Sequence, residues 1–116
     1  MQRYRWISVP KTQEAVYAFY EDNSEDQFIE IRLNTEKEFD LLYESGIFLL
    51  INKIASCMID DYEEEEITDP VKIKFVIKAL INEEKNCSQE VLPLVVSIRK
   101  LFKEALHRGT GVYFFF

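Results

Sequence analysis

Between Val91 and Ala105 the residues Val91, Leu94, Val95, Ile98, Leu101, Phe102 and Ala105 recur at intervals of three and four. That spacing places all seven on one side of an α-helix, and an apolar stripe of this width must be covered by other elements. Arg99, Lys100, Lys103 and Glu104 fall on the opposite, wet face. Ser88 is a fitting N-cap, and Gly109 a fitting terminator, with His107 and Arg108 in the last turn where positive charge suits the helix dipole. Pro93 lacks the N–H that would bond the carbonyl of Gln89, so the helix either starts a turn after Ser88 or bends there. With 116 residues, 47% of them hydrophobic, the chain is long enough for one core around this stripe. No repeat and no linker divides it, so residues 1–116 are expected to form a single domain.

Thr68, Asp69 and Pro70 announce a second helix, a cap followed by proline at the first helical position, with the stripe Ile73, Val76, Ile77, Leu80 and Ile81. Thr35 and Glu38 have capping-box spacing, and Phe39, Leu42 and Tyr43 give a short helix that reaches Ser45 and Gly46. Ile47, Leu50, Ile51, Ile54 and Met58 are again helically spaced, and this pattern stops in the acidic run after Asp60. The N-terminal third differs: from Ile29 to Leu33 apolar and charged residues alternate, as in a half-buried strand. Ala15 to Tyr20 is rich in β-branched and aromatic residues and is read as the first strand of a hairpin, with Glu21 to Asp26 as its loop. The competing reading is a short helix capped by Thr12 with Val16, Phe19 and Tyr20 inward. Val112 to Phe116 is a third strand, expected to pair with the N-terminal ones because two strands alone are marginal. The expected architecture is α+β, a bundle of about four helices packed on a small antiparallel β-sheet formed by an N-terminal hairpin and the C-terminal strand.

The residues offer little catalytic chemistry. His107 stands at a helix end beside Arg108, with no nucleophile nearby in sequence, and reads as a cation at a helix C-terminus. Gly109-Thr110-Gly111 follows a helix and precedes a strand, the reverse of the order that cradles phosphates. Asp60, Asp61 and Glu63 to Glu66 are too consecutive for a calcium loop and too crowded for a pair of carboxylates tuned apart in a rigid frame. No enzyme activity, cofactor, metal or small-molecule substrate is expected. Cys57 and Cys87 match no zinc or disulfide spacing and read as reduced thiols, Cys57 as a small core residue. No apolar run approaches the roughly 18 residues of a membrane span, and no secretory signal follows Arg3 and Arg5. A cytoplasmic location is the expectation.

Charge is the most informative quantity. The chain has 21 acidic and 14 basic residues, for a formal net charge of −7. Residues 1–11 carry +3; residues 12–69 hold 17 acids against Arg32, Lys37 and Lys53; and residues 70–116 carry +4. The acids concentrate in the loop Glu21, Asp22, Glu25, Asp26 and in the run Asp60 to Glu66. Both are expected at element ends, where a surface can meet another protein. Tyr62, ringed by carboxylates, has the makings of an interface anchor, or else packs back on its own helix. Asp22, Glu25, Asp26, Asp60, Asp61, Tyr62, Glu63, Glu64 and Glu65 are thus the expected partner-binding residues. Such a face can imitate nucleic-acid phosphates and occupy a basic cleft. The alternative is a regulatory or adaptor module whose basic face, Lys72, Lys74, Lys78, Arg99, Lys100 and Lys103, contacts nucleic acid or another protein.

The opening Tyr4-Arg5-Trp6-Ile7-Ser8-Val9, the strand Phe28-Ile29-Glu30-Ile31-Arg32-Leu33, the stretch from Ser45-Gly46 into Asp60-Asp61-Tyr62-Glu63, and the ending Gly109-Thr110-Gly111-Val112-Tyr113-Phe114-Phe115-Phe116 are similar to an immunity protein of bacterial contact-dependent growth inhibition systems. This resemblance implies a cytoplasmic protein that binds the toxic C-terminal domain of a cognate secreted effector one-to-one and blocks its active site. Many such toxins are nucleases acting on tRNA. The family has no shared inhibitory motif, so the residues named above rest on charge alone.

Overall fold

The computed structural model describes residues 5–17, 19 and 25–116. Among them are four strands, β1 (Arg5–Pro10), β2 (Phe28–Leu33), β3 (Glu64–Ile67) and β4 (Val112–Phe115), and five α-helices, α1 (Gln13–Tyr17), α2 (Glu36–Glu44), α3 (Ile47–Ala55), α4 (Pro70–Asn86) and α5 (Leu92–Arg108). A 3-10 turn at Glu25–Gln27 leads into β2. The strands form one antiparallel sheet in the order β2-β1-β4-β3. The α+β expectation is met.

Alternation sets the two faces of the sheet. Ile7, Val9, Leu33, Val112 and Phe114 are buried on the inner face, where the Phe102 ring of α5 lies 6.3 Å from that of Phe114. Trp6, Tyr113 and Phe115 point the other way and are half-buried. On α5, Val95, Ile98, Leu101, Phe102 and Ala105 are buried, as are Ile73, Val76 and Leu80 on α4. These two helices pack along each other, and α5 also touches β1, β2 and β4. The C-terminal strand thus sits inside the sheet, with its residues between β1 and β3.

Helix ends follow local chemistry. Asp69 caps α4 by accepting from the Val71 N–H at 2.9 Å, and Pro70 fills the first turn. Thr35 accepts from the Glu38 N–H at 3.2 Å, while the Glu38 carboxylate reaches back to the Asn34 N–H at 2.9 Å. Gly46, at φ 84°, separates α2 from α3. At α5 the cap position is Val91, not Ser88. Starting at Leu92 places Pro93 in the first turn, where its missing N–H leaves no bond unmade. Gly109 ends α5 at φ 68°.

Three expectations are corrected. Residues 13–17 are helix α1, and the Thr12 hydroxyl accepts from the Ala15 N–H at 3.2 Å. The strand beside β2 is β1, in register from Arg5 opposite Leu33 to Pro10 opposite Phe28. The Ala15 to Tyr20 strand of the expected hairpin is therefore wrong in its described part, and residues 18 and 20 lie outside the description. Secondly, α3 ends at Ala55 instead of running to Met58. The Asn52 side chain holds the next segment instead, accepting from the Ile59 N–H at 2.7 Å and donating to the Ile59 carbonyl at 3.2 Å. Thirdly, Glu64, Glu65, Glu66 and Ile67 form an edge strand, within an acidic run that was expected only at an element end.

Phe19 completes the frame around the outer sheet face. Its ring stacks on Phe28 at 4.2 Å and lies 4.7 Å from Tyr113 and 5.3 Å from Phe115. Phe19 therefore lies on the side of the sheet opposite α5.

Candidate acidic interface

One end of the sheet brings the run Asp60 to Glu66 beside the start of α2. At this end β1 begins with Arg5, β2 finishes at Leu33 just ahead of α2, and β3 begins beside the last residues of β4. Arg5 is 3% exposed. Its Nε and Nη2 donate to the two oxygens of Asp61, each at 2.9 Å, and Nη1 donates to Glu36 at 2.8 Å. The guanidinium carbon lies 4.1 Å from the centre of the Phe39 ring, where the ring's quadrupole favours a cation. The hydrogen bonds to Asp61 raise the Arg5 pKa further above its already high value; burial opposes them, and Glu36 adds to them. Asp61 is thus spent largely inside the fold, as the group that ties the acidic run to β1.

Next to Asp61 the edge strand opens with a bulge. The Tyr62 N–H donates to the Phe116 carbonyl at 3.1 Å, and the Phe116 N–H donates to the Glu63 carbonyl at 3.1 Å. Two residues oppose one, which is the pattern of a G1-type bulge. The Glu63 N–H also reaches the Asp60 carbonyl at 3.3 Å, closing a turn with Tyr62 at its third position. Both the bulge and such a turn favour glycine there, yet Tyr62 holds a left-handed φ of 66° with 80% of its surface exposed. A side chain in this conformation costs on the order of 1 kcal/mol.

The remaining acids have separable roles. Asp60, Glu63, Glu64 and Glu66 are exposed. Their register opposite Phe115 and Tyr113 puts Glu64 and Glu66 on the outer sheet face. Glu65 points inward and is half-buried; its carboxylate accepts from the Met58 N–H at 3.0 Å and from the Glu66 N–H at 3.1 Å. Because Glu63 bonds Phe116, the alternation of an antiparallel ladder turns the backbone groups of Glu64 and Glu66 to the open edge. The Glu65 carboxylate covers the Glu66 N–H, and a short strand of negative charge repels an identical edge, so self-pairing is blocked. Glu65 is therefore a guard of the edge as well as a surface charge.

The structure adds acids that the sequence reading passed over. Glu36, Asp40 and Glu44 are exposed on α2 at one-turn spacing, about 6 Å apart along the axis. Through Glu36 this row meets Asp61 at the same guanidinium. The other acidic place lies elsewhere: Asp26 is exposed just before β2, at the opposite end of that six-residue strand from Arg5, roughly 17 Å away at strand rise. Glu25 belongs to the 3-10 turn, and Asp22 lies outside the described residues. Asp26 therefore does not join the run Asp60 to Glu66 around Arg5.

The basic residues of α4 and α5 are partly committed. Lys72 donates to the Ala55 carbonyl at 3.0 Å, Arg99 donates to Glu84 at 2.9 Å, and Arg108 donates to Glu104 at 2.9 Å. Lys74, Lys103 and His107 border a shallow hollow of about 340 Å³ with Ile77 and Leu106. Cys57 is half-buried and its Sγ donates to Asn52 at 3.3 Å. Burial first, and the Glu65 carboxylate second, push its pKa up to about 11. Among the described residues no three His, Cys, Asp or Glu side chains gather to hold a metal ion, and no helix is long and apolar enough to cross a membrane.

No family model and no curated protein matches the chain. Among solved structures the chain is similar to the Neisseria DNA mimic protein DMP12, with a TM-score of 0.63 and 18% identity, over 99% of this chain and 100% of that one. At this identity the likeness is one of fold, shared over the full length of both chains.

Proposed function

We propose that this chain is a non-enzymatic inhibitor whose acidic sheet end and edge strand enter the basic nucleic-acid cleft of a partner protein. One observation carries the reading: Arg5 joins the run Asp60 to Glu66 to the α2 row Glu36, Asp40 and Glu44, making one surface from two segments. Duplex nucleic acid presents closely and regularly spaced negative charge. The exposed carboxylates stand about 6 Å apart on the helix and about 7 Å apart between Glu64 and Glu66, so they form rows and not a single knot of charge. A basic cleft that has evolved to meet phosphates is the complement of such rows. The name of the structural neighbour, a DNA mimic protein, supports the same mode of action.

The particular partner implied by the sequence resemblance is the nuclease domain of a contact-dependent inhibition toxin, bound one-to-one in the cytoplasm. The test is a nuclease assay with the toxin domain encoded beside this chain. Cleavage should stop at stoichiometric inhibitor, and cleavage that persists at molar excess sinks the toxin reading. Direct binding of nucleic acid is not expected, since the acidic surface repels phosphates. The basic-face alternative is no better supported, and two of its six residues, Lys72 and Arg99, are engaged within the fold.

A further inference from the structure

The two edges of the sheet differ in what they offer another strand. β3 is short, follows a bulge and is acidic at Glu64, Glu65 and Glu66. β2 is longer, has no proline or lysine, and pairs with β1 over six consecutive residues without interruption. The Lys11 N–H donates to the Gln27 carbonyl at 2.9 Å, which sets the alternation of this ladder. Gln27, Ile29, Ile31 and Leu33 turn their backbone groups to β1, while Glu30 and Arg32 turn theirs to the open edge. Among the described residues no strand and no backbone group meets Glu30 or Arg32 from that side. Ile29 and Ile31 are only half-buried, whereas Ile7 and Val9 beside them on β1 are wholly buried. An uncovered strand of this kind is a template for pairing.

We infer that β2 is a dimerisation edge whose occupant is a second copy of this chain, its own β2 running antiparallel about a two-fold axis at Ile31. The inference goes beyond the acidic-interface reading and does not depend on it, since β2 and β3 are opposite edges of the sheet. Charge selects the register. A two-fold axis at Glu30 sets carboxylate against carboxylate, and one at Arg32 sets guanidinium against guanidinium. An axis at Ile31 sets Glu30 of each copy opposite Arg32 of the other, in two hydrogen-bonded pairs that use the backbone groups left open on the edge. Opposite charges facing each other across a ladder stabilise it, and like charges weaken it. In this register the two Ile31 residues meet at a non-hydrogen-bonded position, with Cα atoms about 4.5 Å apart, and Ile29 faces Leu33 of the other copy. The half-exposed isoleucines are thereby covered. Within one chain Arg32 lies 3.5 Å from Glu30, a long contact between exposed groups that competes weakly. The β3 edge of another copy matches less well, because its row of carboxylates would stand against Glu30. The product joins two four-stranded sheets into one, with an acidic β3 at each outer edge.

The test is sedimentation equilibrium of the full chain at concentrations from about 10 µM to about 1 mM, the range in which a small edge-to-edge contact is populated. The unaltered chain should show a monomer–dimer equilibrium. Glu30→Arg alone and Arg32→Glu alone each put like charges into both cross-strand pairs, and each should weaken dimerisation at least about tenfold. An equimolar mixture of these two variants should recover a mixed dimer, because every cross-strand pair is then a carboxylate opposite a guanidinium. Glu30→Arg combined with Arg32→Glu in one chain should dimerise within about threefold of the unaltered chain. Both positions are exposed, and thermal melts check that each variant keeps the fold. A chain that stays monomeric throughout this range overturns the inference. A dimer that ignores the single charge reversals, or single variants that stay apart on mixing, overturns it as well, by assigning the contact to another surface or register. Each of these results leaves the acidic interface standing.

Discussion

Arg5 and Asp61, 56 residues apart in the chain, are locked by two parallel hydrogen bonds of 2.9 Å, Nε to Oδ1 and Nη2 to Oδ2. The pair is what converts a run of carboxylates into a fixed surface, since it anchors the residue just before the Tyr62 bulge to the first residue of β1. Removing one partner of a buried ion pair costs roughly 3–5 kcal/mol. Arg5→Ala should therefore lower unfolding stability by about 3 kcal/mol in urea titration. Glu36→Gln, at the exposed side of the same guanidinium, should cost less than about 1 kcal/mol. Equal losses in the two variants would show that Asp61 is not the dominant partner.

Tyr62 separates stability from binding. Tyr62→Gly relieves the left-handed backbone while giving up little buried surface, so the variant should gain on the order of 0.5–1 kcal/mol in a denaturant titration. If the exposed ring anchors the partner, the same variant should bind it at least about tenfold more weakly in calorimetry. A variant that is more stable and binds unchanged would remove Tyr62 from the interface.

Gly111 marks a close approach between β4 and the end of β3. A Cβ there would stand 2.8 Å from Thr68 Cγ2 and 2.9 Å from the Ile67 carbonyl oxygen, and a backbone atom cannot move aside as a flexible side chain can. Gly111→Ala should destabilise the protein by about 1–3 kcal/mol, seen as a lowered melting temperature. An unchanged melting temperature would mean that the edge strand is held more loosely than the geometry indicates.

Cys57 gives a pH dependence with a definite sign. Its thiol is raised from an ordinary value of 9 to about 11 in the folded chain. Below pH 9 the thiol is protonated in both states and its contribution to stability is complete. From pH 9 to 11 the unfolded thiol ionises first, so that contribution falls as pH rises. In a Cys87→Ser background, the rate of alkylation at Cys57 should rise with a midpoint near pH 11, and a midpoint near 9 would contradict the burial argument.

Much of the framework is legible in the chain because it rests on local rules. Asp69-Pro70 starts α4, Thr35 with Glu38 starts α2, Gly109 ends α5, and the apolar tail at Val112 becomes a strand, each by caps or periodicity that need no distant partner. The edge strand is different. Glu64, Glu65 and Glu66 have weak strand propensity and no alternation of polarity, and they become extended because β4 offers its second edge for pairing. The N-terminal strand was hard to place for a related reason: Trp6, Ser8 and Pro10 on the outer face blur the inward set Ile7 and Val9. Burial of Arg5 depends on Asp61 and Phe39, far away in the sequence, so no local pattern announces it. The acidic row on α2 was within reach, since Glu36, Asp40 and Glu44 repeat at exact four-residue steps.

The central claim is that the surface made by Asp60 to Glu66 and the α2 row stands in for nucleic acid before a basic partner. The most direct measurement captures partners from cell extract on the immobilised chain, challenges the complex with duplex DNA or tRNA, and repeats the capture with Glu63→Gln, Glu64→Gln, Glu66→Gln, Asp40→Asn and Glu44→Gln combined. The expected result is a basic nucleic-acid-binding protein that retains its hold in buffer, leaves when nucleic acid is added, and fails to bind the neutralised variant. A partner that stays bound in the presence of nucleic acid, or that binds the variant as well as the unaltered chain, would contradict the claim.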